Sequence, residues 1–260
     1  NTFKQINVFE AIGASVPTYG HVPMILGEDG KRLSKRHGAL GVREYSDEGI
    51  LPEALKNYFL RLGWANGDQE IFDHDQMEEA FMKGTLNQSP ATFSMDKLLW
   101  FNKHYLDSMN VDQLIEVINK EEFDGDEYST SVLLAIRERC STLNDFVTLS
   151  SYFFEDPKNF DHTLIKKHCK SETYGHLTVL KSHLNELKEW SQISVKQSID
   201  ETAAELDVGF GKVGLPLRLA LTASVNSPSI DLVCEILGKD NVLRRLDNFL
   251  GVIKSQEIDL

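Results

Sequence analysis

The sequence predicts a mainly α chain that opens with a short α/β piece and continues as helices to its end. Three observations carry this. Residues 16–26, VPTYGHVPMIL, are β-branched and aromatic, with prolines near both ends and turn signals on both sides, which is strand chemistry. From about Asp47 onward the apolar residues recur at helical rather than alternating spacing. Prolines at helix starts and glycines at helix ends punctuate that later stretch.

Taken in order, residues 16–26 predict a strand or two, and GEDG at 27–30 predicts a turn, because Gly27 and Gly30 tolerate positive φ and Asp29 favours turns. In LPEALKNYFLRLGW, Leu55, Tyr58, Phe59 and Leu62 fall at i, i+3, i+4 and i+7, with Pro52 in the first turn and Gly63 as the stop. Val111, Leu114, Ile115 and Ile118 repeat the spacing behind an Asn110 cap. Ser194 and Gln197 read as a capping box for a helix through Ile199, Ala203 and Leu206. After the break GFGKVG, Pro216 is expected to open another helix, and Ser227-Pro228 the next, with Gly238 as its stop.

The chain of 260 residues, 41% hydrophobic and 26% charged, has the composition of a soluble globular protein and can bury a sizeable core. No run approaches the roughly 18 apolar residues of a membrane span; VGLPLRLALTASV is broken by Pro216 and Arg218. The first residues lack a signal-peptide pattern. Cys140, Cys169 and Cys234 are far apart with no CxxC spacing. That argues against a disulfide framework or cysteine zinc site, and for reduced thiols in a cytoplasmic protein.

Charge is the unusual feature. Against 27 basic and 40 acidic residues, a net charge of -13, four cations gather in the six residues KRLSKR beside the glycine turn. Such an acidic chain attracts nucleic acid poorly at long range, but a local basic surface remains possible. Most charge runs are solvated faces. Lysines and arginines on a glycine-flanked loop can equally close over a polyphosphate.

The segment RLSKR, Arg32 to Arg36, resembles the KMSKS signature of class I aminoacyl-tRNA synthetases in the KLSKR-HG form of glutamyl-tRNA synthetases. The stretches EGILPEALKNYFLRLGWANGDQEIF, ATFSMDKLLWFNKHYL and LPLRLALTASVNSPSIDLVCEILG are similar to the same bacterial family, in the same order along the chain. No HIGH-like motif is present. The resemblance therefore implies a C-terminal part of the enzyme, starting inside the catalytic half, with an N-terminal catalytic half of the same protein as its partner.

What the resemblance implies is specific. Residues 1–46 would end the catalytic domain, 47–119 form a helical region contacting the tRNA stem, and 120–185 and 186–260 form two anticodon-binding subdomains. The intact enzyme would use ATP with Mg2+ to make glutamyl-adenylate and charge tRNA-Glu; this chain alone would be inactive. A monomer, no membrane and no metal site in the chain are expected. Lys35 would contact ATP phosphates, helped by Arg32, Ser34 and Arg36, with Arg32 departing from the family's usual lysine. Arg218, Ser227, Pro228 and Ile230 would hold anticodon bases, and Arg139 is preferred to Arg137 for the third base.

Three other readings stand beside this one. A relative transferring glutamate to another tRNA position would lack the long helical end, and a glutaminyl enzyme would end in a β-barrel. A non-catalytic helical module that binds no RNA is the reading from a different class. Other features are set aside: GFGKVG lacks P-loop spacing, His162 and His168 lack metal spacing, and the acidic run at 120–128 lacks EF-hand order. Trp64 and Trp100 read as core.

Overall fold

The computed structural model describes residues 1–34, 40–65 and 67–256. It divides into two compact units, Asn1–Tyr105 and Leu106–Leu260.

The first unit runs α1 (Thr2–Ala11), β1 (Ile25–Leu26), α2 (Val42–Asp47), α3 (Pro52–Gly63), β2 (Trp64–Ala65), α4 (His74–Lys83), β3 (Thr85–Leu86), β4 (Ala91–Thr92) and most of α5 (Met95–Ser108). Pro52 does stand in the first turn of α3, where its missing N–H costs nothing. Leu55, Tyr58 and Leu62 of the predicted stripe are buried; Phe59, at its edge, is 41% exposed.

Strand content is smaller than residues 16–26 suggested. Only Ile25 and Leu26 pair, in parallel with Ala91 and Thr92. Val16, Val22 and Met24 are exposed. A strand is defined by its partner as much as by its side chains, and these residues pair with none among the described residues. β2 and β3 pair antiparallel, Trp64 with Leu86.

The core of this unit is aromatic. Tyr58 meets Phe93 edge-on at 5.4 Å and Phe101 at 5.9 Å. Two fully buried asparagines settle backbone groups that the apolar core would otherwise strand. Asn102 Oδ1 accepts from Leu51 N–H at 2.7 Å, and Asn57 Oδ1 accepts from Phe72 N–H at 3.0 Å. Trp64 is half-buried, stacked on Phe81 at 4.4 Å. Trp100, expected in the core, is 50% exposed instead, with its ring edge-on to the buried Phe101 at 5.0 Å.

The second unit is all helical among its described residues: α6 (Val111–Ile118), α7 (Glu127–Ile136), a 3-10 turn (Arg137–Arg139), α8 (Leu143–Phe154), α9 (His162–His168), α10 (Thr173–Glu186), α11 (Gln192–Glu205), α12 (Gly211–Thr222), α13 (Ile230–Leu237) and α14 (Lys239–Gln256). α10 is the central element and packs on α11, α12 and α14. Its Leu177, Leu180 and Leu184, one helical stripe, are completely buried. Asn110 caps α6 as predicted, accepting from Gln113 N–H at 2.9 Å, and Gly238 ends α13 at φ 78°.

Two predicted boundaries move. The capping box of α11 is Ser191 with Ser194, not Ser194 with Gln197. Ser194 Oγ turns back to the Glu189 and Ser191 carbonyls, so it lies inside the first turn. α12 begins at Gly211, within the expected break, and carries Pro216 in its interior. Phe210 precedes its first turn. Its ring packs where a side chain on Gly214 would stand, 2.6 Å from an ideal Cβ, so a larger residue there would push the part-exposed ring aside.

Candidate nucleic-acid interface

The basic turn is built as a small hairpin. Gly27 N–H donates to Lys31 O at 2.8 Å, Leu33 N–H to Ile25 O at 2.9 Å, and Lys31 N–H to Asp29 Oδ1 at 3.0 Å. Gly30 adopts φ 74°, the left-handed conformation the turn requires. Arg32 bridges back to Leu26 and is exposed; Ser34 follows on the return arm, half-buried. Lys35 and Arg36, the other two phosphate candidates, lie outside the described residues. On the far side of β1, Phe93 N–H donates to Leu26 O at 2.8 Å. The base of the turn is thus held from both flanks.

The second constellation belongs to the second unit. A cavity of about 240 Å³ is lined by Ile136, Arg139, Leu149, Tyr152, Asn226, Ser227 and Pro228. Three sequence-predicted residues, Arg139, Ser227 and Pro228, therefore meet around one space, although they come from the turn after α7 and the loop before α13. Ile136 and Leu149 give the cavity an apolar wall, while exposed Arg139 and Asn226 add polar groups.

Arg218 shapes this loop. Its Nη1 donates to Pro228 O at 2.7 Å, to Ser227 O at 2.9 Å and to Ser227 Oγ, and Ser227 Oγ in turn donates to Pro228 O at 2.9 Å. A planar, permanently charged fork suits carbonyls that converge this way. Burial lowers the Arg218 pKa, and the like charge of nearby Arg139 adds to the effect. The loop leaves α12 through Ala223, which takes a left-handed φ of 51°.

The other predicted residues fall elsewhere. Arg137 Nη2 donates to the carbonyls of Asp107 at 2.7 Å, Leu106 at 3.0 Å and Met109 at 2.5 Å. It terminates α5 by satisfying its last carbonyls, and does not line the cavity. Ile230 is 2% exposed and belongs to the core. Tyr152 and Asn226 line the cavity without having been predicted. Tyr152 is followed by Phe153 and Phe154 in α8, and nothing in that local sequence says which aromatic lines a cavity. Among the described residues, no group of three or more His, Cys, Asp or Glu could hold a metal ion, and no helix is long and apolar enough to cross a membrane.

Comparison with known proteins follows this division. The family described as anticodon binding domain matches residues 97–250. The family described as tRNA synthetases class I (E and Q), catalytic domain, matches residues 1–100. Among solved structures, a glutamate tRNA ligase from Elizabethkingia meningosepticum in complex with its amino acid superposes with a TM-score of 0.75 at 28% identity over 95% of this chain. The glutamate-tRNA synthetase from Elizabethkingia anophelis superposes with a TM-score of 0.71 at 26% identity, also over 95%. This chain spans about half of each, 54% of their length.

Proposed function

Because the chain belongs to the anticodon binding domain family, with a class I (E and Q) tRNA synthetase segment ahead of it, we propose that it is the tRNA-recognising part of a glutamate-tRNA ligase. The observation that carries this is the meeting of Arg139, Ser227 and Pro228 around one cavity inside the anticodon-binding match. An apolar wall accepts the face of an unstacked base, and placed cations and hydroxyls read its edge. Arg218 supports the reading by fixing the loop's carbonyls in one arrangement, so that the site is formed before RNA arrives. A net charge of -13 leaves discrimination to such contacts, since background attraction to phosphate is low.

In this proposal the basic turn serves the other half of the reaction. ATP supplies the activating phosphoanhydride when bound. Arg32, Lys35 and Arg36 would hold its phosphates, and Ser34 adds a hydroxyl. The donor set fits a polyphosphate, because residues 31–43 contain five cations and no carboxylate. Mg2+ would accompany ATP rather than bind a site of this chain. The 260 residues contain no HIGH-like motif, so on this reading the isolated chain binds tRNA-Glu and forms no glutamyl-adenylate. We expect a monomer acting in the cytoplasm.

Fluorescence binding of the chain to tRNA-Glu, beside a copy with an altered anticodon, tests this. Tighter, salt-sensitive binding to the unaltered tRNA is expected, weakened by about 1–3 kcal/mol in Arg218→Ala. Equal binding to both tRNAs would overturn the anticodon role. Absence of binding to either would favour the helical module that recognises no RNA.

A further inference from the structure

Three lysines and a histidine meet around one space on a chain whose net charge is -13. A cavity of about 480 Å³ is lined on one side by Lys167, His168 and Lys170, from the end of α9 and the turn after it. Gly209, Gly211 and Lys212, at the start of α12, line the other side. No carboxylate is among its described lining residues. Ammonium groups that share a space repel one another, and an anion between them relieves the repulsion. Lys170 is held in place, since its Nζ donates to Lys166 O at 2.8 Å in the last turn of α9. Glu172 lies nearby: its pKa is lowered first by its own backbone N–H, then by Ser171, and further by the Lys212 charge. Its carboxylate already accepts from Ser171 Oγ at 3.0 Å, so it offsets the cluster without closing the cavity.

The backbone beside these cations is bare. Where a Cβ on Gly209 or Gly211 would stand, no atom lies within 4 Å, and neither glycine takes a positive φ. The fold of this chain therefore gives no steric reason for glycine at either position; close approach by another molecule supplies one. α12 starts at Gly211 with no side-chain cap behind it and no acidic residue in its first turn. Its first N–H groups and positive dipole end add to the charge beside the cavity. GFGKVG lacks the spacing that wraps the phosphates of a bound nucleotide, and needs none to contact one phosphate from outside.

α12 joins this cavity to the one already described. Gly211, Leu215 and Arg218 fall at i, i+4 and i+7, one face of the helix, and with Lys212 they are the residues of α12 that are not buried. Gly211 and Leu215 line the basic cavity, while Arg218 holds Ser227 and Pro228 of the other. Gly211 and Arg218 stand about 10 Å apart along the helix axis, within reach of neighbouring nucleotides of one strand.

We propose that this cavity is a backbone-phosphate site for the RNA strand whose unpaired base occupies the cavity of Arg139, Ser227 and Pro228. Lys167, Lys170 and Lys212, with the open start of α12, hold a phosphodiester further along that strand. The inference rests on the anticodon-binding reading above and adds the place where the strand's backbone is gripped. Such a contact fixes register without reading sequence, since every nucleotide offers the same phosphate.

The test measures binding of the full chain to RNA hairpins carrying the anticodon loop of tRNA-Glu, unaltered or with an altered anticodon, across a series of KCl concentrations. Lys167→Gln and Lys212→Gln each remove one charge at an exposed position and are expected to melt with the parent. Each should bind about three- to tenfold more weakly at low salt. Each should also flatten the slope of log affinity against log salt by about 0.7, the loss of one phosphate contact on a single strand. The preference for the unaltered anticodon should stay as in the parent. Lys196→Gln, at an exposed lysine of α11 outside the cavity, controls for net charge and should leave the slope unchanged. Slopes at Lys167 and Lys212 matching that control would overturn the proposal, while the parent's preference keeps the anticodon reading standing. Lost preference with an unchanged slope would overturn it too, by making these lysines part of base reading. Inorganic phosphate at matched ionic strength should displace the hairpin only at millimolar levels or above. Displacement by micromolar phosphate would make this a site for the free anion and overturn the RNA assignment. A parent that binds both hairpins alike would sink the anticodon reading, and the proposal with it.

Discussion

Arg245 donates from Nε to Asp156 Oδ1 at 2.8 Å while only 4% of the arginine is exposed, which joins α14 to the end of α8. The same guanidinium donates to Leu221 O at 2.9 Å, at the end of α12. One side chain therefore ties three helices, two of which lead into the candidate RNA site. Burial lowers the Arg245 pKa, because the charge is partly withdrawn from water.

Asp156→Ala leaves that charge with backbone carbonyls alone. Breaking a buried pair from one side costs about 3–5 kcal/mol, and the partial exposure of Asp156 places this case below that range, at about 2–3 kcal/mol. Urea unfolding should show the midpoint falling with little change in slope. The exposed Glu79–Lys83 pair is the control. Glu79→Ala should cost less than about 0.5 kcal/mol.

Ala223 occupies the left-handed region at φ 51°, where a Cβ is strained. Ala223→Gly should stabilise the chain by about 0.5–1 kcal/mol, the relief of strain exceeding glycine's greater freedom when unfolded. Thermal unfolding would show it as a small rise in Tm. The same substitution at Ala203, inside α11 and nearly buried, should lower it.

Tyr105 should confer an alkaline dependence. Its hydroxyl bonds to Phe72 O at 2.6 Å and Asn57 Oδ1 at 2.8 Å. Burial first, then the charges of Glu53 and Asp73, push its pKa from 10.0 up to about 12. A raised pKa means that the folded state keeps its proton after the unfolded state has lost it. The stability from Tyr105 is therefore whole below pH 10 and is lost as pH rises from 10 to about 12. Against Tyr105→Phe, the parent's advantage in denaturant unfolding should shrink across that window. A constant difference from pH 8 to 12 would refute the assignment.

Local signals were legible and distant ones were not. Pro52, Asn110 and Gly238 act within one helical turn of themselves, so their residue types announced their roles. Ser194 and Pro216 misled because each type also occurs inside helices: Ser194 lies in the first turn behind the Ser191 cap, and α12 has already begun at Gly211 when the chain reaches Pro216. The resemblance named Arg139, Ser227 and Pro228, and the fold brings them to one cavity. Arg137, two positions from Arg139, differs by the face it presents, which depends on where α5 ends. Tyr152 was invisible because what distinguishes it from Phe153 is set by Arg245, 93 residues along the chain, and by a cavity no local pattern encodes.

β1 and β4 have two residues each, fewer than a pair of strands needs to hold itself together, yet they fix the base of the basic turn. Their alignment is maintained by the helices folded between them. The turn is consequently not a modular cassette: a recombination event or a designed graft that moved residues 25–33 alone would move a sequence without its shape. Exchange between related proteins would have to carry residues 25–93 as one inheritable block, and variation in the turn would be constrained by aromatic packing around Phe93.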